Sequence, residues 1–140
     1  MTPFSLQIVT PDGLLYQGEA VMVRIRTIDG DMGIRARHID MVTALGMGSC
    51  RVDVSEEKSL YAACIGGLFT VLSGEVRIVA TTFEWAEEID QERAENAREM
   101  AEELLATDLP PKERAKAEAR LHRAMVRLGV LRSLENHPKL

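Results

Sequence analysis

Phe83-Glu84-Trp85-Ala86-Glu87-Glu88 divides this sequence into two kinds of text. Before it lie short apolar runs broken by turn residues; after it Ala, Glu and Arg dominate, with neither Gly nor Pro until Pro110-Pro111. A shift of that kind marks the passage from strand to helical structure. The chain therefore reads as an N-terminal antiparallel β-sandwich over 1–86, followed by a C-terminal antiparallel two-helix hairpin over 87–140.

Upstream of the boundary, Val21-Met22-Val23-Arg24-Ile25-Arg26-Thr27-Ile28 alternates with period two. That places Val21, Val23, Ile25 and Thr27 on one face and Met22, Arg24, Arg26 and Ile28 on the other. Pro11-Asp12-Gly13, Asp29-Gly30, Gly66-Gly67 and Ser73-Gly74-Glu75 supply turn chemistry between further runs: 41–45, 59–65, 68–72 and 76–80. Runs of this length and spacing predict about ten short strands in a sandwich. Phe83 and Trp85 read as packing anchors between sandwich and hairpin.

Downstream, Asp90 suits an N-cap, and Ala94, Ala97, Ala101, Leu104 and Leu105 recur at helical spacing, so a helix is expected from about Asp90 to Ala106. Thr107-Asp108-Leu109-Pro110-Pro111 breaks it, and a second Ala-rich helix is expected from there to about Leu134, with Gly129 as a weak point. Glutamates dominate the first helix and Lys and Arg the second, which implies a modest, salt-sensitive attraction between them. Because Ala buries little apolar surface, the hairpin reads as a weakly held, detachable arm.

Composition limits the function. The 140 residues carry a net charge of −5 with a pI near 5.2, so no chain-wide positive field exists to hold a nucleic-acid backbone. No apolar run is long enough to span a bilayer, so membrane association is expected only through a partner. Cys50 and Cys64 are too few for a disulfide framework and read as reduced, buried thiols. His122 and His137 lack metal-ligand spacing, no P-loop is present, and neither His38 with Asp40 nor Ser49-Cys50 forms a catalytic constellation. No catalytic residue, metal or required cofactor is expected.

Val9-Thr10-Pro11-Asp12-Gly13, Asp29-Gly30-Asp31-Met32-Gly33-Ile34, Ile65-Gly66-Gly67-Leu68-Phe69-Thr70-Val71 and Ile89-Asp90-Gln91-Glu92-Arg93-Ala94 occur in one order along the chain. Together they resemble the epsilon subunits of F-type ATP synthases: the second is similar to the family's G-E-L-G-I segment, the third to its S-G-G-x-x-E-V hairpin, the fourth to its I/L-D-x-x-R-A pattern. One departure is plain. Where family members read P-G-H-x-P-L, this chain has Arg35-Ala36-Arg37-His38-Ile39-Asp40-Met41, which resembles a divergent branch of alternative, sometimes sodium-linked, F-type ATPases.

The resemblance implies a central-stalk subunit, bound to gamma and the c-ring at the cytoplasmic face of a bacterial plasma membrane. It implies an arm that reaches the catalytic beta subunits and restrains hydrolysis. It also implies ATP as a regulatory ligand at Glu84, Ile89, Asp90, Arg93, Ala94, Arg123 and Arg127. Arg123 and Arg127, spaced i,i+4, share a helical face from which guanidinium forks can grip phosphate. The residues alone favour the plainer reading, with Asp90 a simple cap, Arg93 paired with a nearby glutamate, and Arg123 with Arg127 on a solvated face; the resemblance is what brings the ATP site level with it. A freestanding ATP-sensing adaptor is the alternative function.

Overall fold

The computed structural model describes residues 1–136. Seven strands, β1 (Phe4–Thr10), β2 (Gly13–Ala20), β3 (Met22–Thr27), β4 (Gly30–Ile34), β5 (Met41–Asp53), β6 (Ser59–Leu72) and β7 (Glu75–Trp85), pair in the order β2-β1-β7-β6-β5-β3-β4. All pairs are antiparallel except β1 with β7, which run parallel. A short 3₁₀ turn, Ala86–Glu88, leads into α1 (Gln91–Leu105) and α2 (Pro111–Asn136).

One hydrogen-bonded sheet becomes a sandwich because its long strands fold over. Ala20, at the end of one edge strand, and Ile34, on the other edge strand, are both fully buried in the same core as Leu6, Ile8, Val23, Ile25, Phe69 and Ile78. A flat sheet cannot bring its edges to one core. The fold-over is visible as a change of facing: in β6, Ala62 and Cys64 point into the core before Gly66-Gly67, and Phe69 and Val71 after it. β5 switches from Leu45 to Cys50 and Val52, and β7 from Val76, Ile78 and Ala80 to Phe83.

That bend corrects the expected strand number. The runs 59–65 and 68–72 are one strand, since Gly67 pairs with Leu45 on one side and Ala80 on the other, and register continues unbroken past it. Gly66 and Gly67 have φ of +72° and +121°, and a Cβ on Gly67 would collide with the Val79 carbonyl oxygen. The glycines thus bend a strand rather than end it. Likewise the run from Met41 continues to Asp53 and the run from Val76 to Trp85.

The period-two reading of β3 holds. Val23, Ile25 and Thr27 are buried while Arg24 and Arg26 are exposed. Cys50 and Cys64 are free and buried in the core; burial pushes the Cys64 thiol up to about 12 and the Cys50 thiol well above its ordinary value.

Asp90 caps α1, its Oδ1 accepting from the Arg93 backbone N–H at 3.1 Å. At the other end Thr107 Oγ1 donates to the Leu104 carbonyl at 2.6 Å, and Pro111 opens α2. The helices meet through small side chains: Ala94 and Ala101 on α1, Ala117 and Ala124 on α2 are all buried. Among the described residues no ion pair joins α1 to α2, and the Arg98–Glu102 pair lies within α1. The expected cross-helix attraction is absent at contact range because alanines meet at the seam and the charges project elsewhere.

It is α2 that rests on the sandwich. Tyr61 and Ala63, on the outward side of β6, form a second buried cluster with Ala86, Ile89 and Val130, against which Val126, Leu131 and Leu134 pack. Phe83 and Trp85 are therefore not the anchors expected from sequence: Phe83 lies in the sandwich core, and Trp85 packs edge-on to Phe83 and Tyr16, with centroids 5.0 and 6.4 Å apart. Both fall on the inward side of β7. The expected helical unit's last residues, 137–140, and His137 lie outside the described residues.

Two glycines should respond oppositely to alanine. Gly67→Ala should destabilise by about 2–4 kcal/mol, since φ and space both forbid a Cβ. Gly129 in α2 has nothing within 4 Å of an added Cβ, so Gly129→Ala should stabilise by about 0.5–1 kcal/mol. Urea denaturation of both variants, fitted with a common m-value, measures the two signs.

Candidate functional site

Where β7 ends, outward-facing Thr82 and Glu84 meet the start of α1 and the middle of α2. A cleft of about 370 Å³ opens there, lined by Thr82, Glu84, Glu88, Asp90, Arg93, Ala94, Ala97 and Arg127. Three elements build it, so its shape exists only while the hairpin lies against the sandwich.

Its best-defined contact crosses that junction. Arg127 Nε of α2 donates to Glu84 Oε1 of β7 at 2.6 Å, with roughly 30% of each side chain exposed (28% and 31%). At the rim, Glu88 accepts from the Trp85 backbone N–H at 3.2 Å, and Asp90 is occupied as the cap of α1. Arg93 is exposed and makes no side-chain ion pair among the described residues. The cleft thus holds acceptors at Glu84 and Asp90, one tethered and one open guanidinium, and an apolar wall at Ala94 and Ala97.

Five of the seven residues implied by the resemblance, Glu84, Asp90, Arg93, Ala94 and Arg127, line this cleft. Ile89 does not: it is buried in the cluster under α2, where its backbone N–H donates to the Ala86 carbonyl at 3.2 Å. Arg123, half-buried one turn before Arg127, is not part of the lining. Thr82, Glu88 and Ala97 were missed. Thr82 is two residues from Glu84 on one strand face, and Ala97 is four from Arg93 on one helical face, so spacing alone pointed to both. Among the described residues no group of three His, Cys, Asp or Glu side chains is arranged to hold a metal.

Comparison with known proteins places this architecture. The beta-sandwich domain of the ATP synthase Delta/Epsilon chain matches residues 3–86, and the long alpha-helix domain of the same chain matches 87–132. The chain is 38% identical over 130 residues to an ATP synthase epsilon chain of Shouchella clausii, covering 93% of this chain and 96% of that one.

The chain belongs to the ATP synthase epsilon family.

An epsilon chain of Caldicellulosiruptor saccharolyticus is 37% identical over 136 residues, covering 97% and 98% of the two chains. Among solved structures, a chain of the Euglena gracilis mitochondrial ATP synthase assembly of OSCP, F1 and c-ring superposes with a TM-score of 0.71 at 25% identity, over 97% of this chain and 81% of that one. A chain of the Tetrahymena thermophila mitochondrial ATP synthase central stalk and c-ring shares the fold, with a TM-score of 0.62 at 14% identity over 91% and 95%. As an epsilon-family member this chain is a non-catalytic subunit of the ATP synthase complex. No described helix is long and apolar enough to cross a membrane.

The Glu84–Arg127 pair should be energetically real but modest, because both groups retain solvent. A double-mutant cycle on Glu84→Gln and Arg127→Gln, read by thermal or urea unfolding, should return a coupling of about 0.5–1.5 kcal/mol that shrinks at high salt.

Proposed function

We propose that this epsilon-family chain works in the central stalk as a two-part device. The sandwich, 1–86, grips the rotor, and the hairpin, 87–140, is an arm that restrains ATP hydrolysis and is held back by bound ATP. The observation that carries the proposal is the cleft shared by β7, α1 and α2: a ligand there binds only the docked arm and so shifts the arm's equilibrium by its preference for that state.

In this reading ATP phosphates take Arg93 and Arg127, the latter exchanging part of its contact with Glu84. Arg123, on the same face of α2, supplies a further guanidinium once the helices tighten. Asp90 and Glu84 accept from the ribose hydroxyls or the adenine amino group, and the backbone near Ile89 and Ala94 lines the base. The chain performs no hydrolysis.

Rotor grip is supported by the other outward face of the sandwich. Leu68 of β6 is directly opposite Val79 of β7 and diagonal to Val42 of β5; all three are exposed, Val42 to 71%. An exposed apolar row on a sheet face suits a protein partner, here gamma. The 35–40 loop, tied down where Asp40 Oδ1 accepts from the Ser73 backbone N–H at 2.9 Å, turns Arg35, Arg37 and Ile39 outward, and suits the c-ring. The site of action is the cytoplasmic face of a bacterial plasma membrane, reached through these partners. The released arm, with its basic α2, then meets acidic segments of the beta subunits.

Arg93→Ala and Arg127→Ala should each weaken ATP binding by about tenfold or more while leaving the sandwich folded, because each removes a charge-assisted contact. Calorimetric titration of the intact chain decides it, and identical heats in wild type and both variants reject the cleft. Truncation after Glu88 should raise ATPase activity of the reconstituted complex with gamma still bound; unchanged hydrolysis rejects the inhibitory arm. Failure to co-purify with gamma would favour a freestanding adaptor.

A further inference from the structure

Tyr61 is the largest buried side chain of the cluster on which α2 rests, and it is held from outside that cluster. Arg51, its cross-strand partner on β5, lies over its ring with the guanidinium carbon 5.8 Å from the centroid. The guanidinium is fixed in turn. Arg51 Nε donates to Asp53 Oδ1 at 2.8 Å and Nη2 to Ser59 Oγ at 3.4 Å, while the Ser59 hydroxyl donates to the same Asp53 oxygen at 2.6 Å. Asp53 and Ser59 are themselves cross-strand partners, so the network joins two rungs on one face of the β5–β6 ladder, with the Val52–Leu60 rung between them facing the other way.

Charge directs it as well. Arg24 on β3 stands directly opposite Arg51 on its other side. A like charge there disfavours the guanidinium turning toward β3 and leaves the Tyr61 side as the favourable one. The Arg51 side chain is 34% exposed and Asp53 13%. The pair lies outside the sandwich core, on the face that carries Tyr61. A cation over a ring face attracts it and so favours one placement of both partners. None of Arg51, Asp53, Ser59 or Tyr61 lines the cleft at Glu84 and Arg127.

We propose that Arg51, Asp53 and Ser59 are positioning residues for the arm: they lock the Tyr61 ring as the seat of α2 and thereby set how readily α2 leaves the sandwich, apart from the nucleotide cleft. The inference rests on the reading that the arm detaches.

The test is hydrogen exchange of the full-length chain without nucleotide, comparing amides 126–136 of α2 with those of β1 and β7. Arg51→Met keeps the aliphatic stem and removes the guanidinium. It should speed exchange in 126–136 by about tenfold, the size of one lost charge-assisted contact, and leave β1 and β7 unchanged. Ser59→Ala should act in the same direction with a smaller effect. In a Tyr61→Leu background, Arg51→Met should add nothing, because its target is gone. Unchanged exchange in α2, equal acceleration in β1 and β7, or full additivity with Tyr61→Leu overturns the seat. If wild-type α2 exchanges only together with β1 and β7, the detaching arm itself fails; if α2 exchanges ahead of them but ignores these variants, the seat alone fails.

Discussion

Everything in this molecule depends on one constraint: β5, β6 and β7 must reverse which side faces inward at the same level of the sheet. Gly66 and Gly67 make that possible on the central strand, where the carbonyl of Val79 occupies the space a Cβ would need. Gly46 and Gly48 stand at the same level of β5. With the reversal, residues from both edges of a single sheet enclose one core, and no second sheet is needed. A strand that kept strict alternation would turn its second half inside out.

The same reversal prepares the outer surface. On one side of the bend, Tyr61, Ala63 and Glu84 point outward where Ala62, Cys64 and Phe83 point inward. Two of these outward residues seat α2 and the third receives Arg127. On the other side of the bend, the outward positions include Val42, Leu68 and Val79, all exposed. One geometric event therefore separates the face that α2 covers from a face left exposed.

How legible this was in the sequence depends on the range of the interaction. The helices were readable to within a residue or two, because Asp90, the alanine stripe and Pro110-Pro111 act within one or two turns. The alternation of β3 was equally local. The strand number was not: a Gly-Gly pair looks the same whether it closes a turn or bends a strand, and only the ladder to Leu45 and Ala80 distinguishes them. Phe83 and Trp85 were misplaced for the same reason, since their facing depends on a bend upstream. Of the site, Glu84, Asp90, Arg93, Ala94 and Arg127 were gathered by motif and converge in space, whereas the Arg51–Asp53–Ser59 network carried no local signal.

The way the arm is fastened bears on how it works. Its internal seam is built from alanines, which bury little area each, and its hold on the sandwich comes from one modest apolar cluster plus one partly exposed ion pair. A leucine-rich seam would hold the hairpin far more tightly, and a ligand's preference could then shift nothing of consequence. In the proposed reading, attachments this weak are what allow a ligand of the docked state to govern the equilibrium, since its preference need only match a small docking energy. The two fastenings also sit on different strands, Tyr61 on β6 and Glu84 on β7. On the proposed function, a change at either one alters the docked fraction, while only the second shares Arg127 with the proposed phosphate contact.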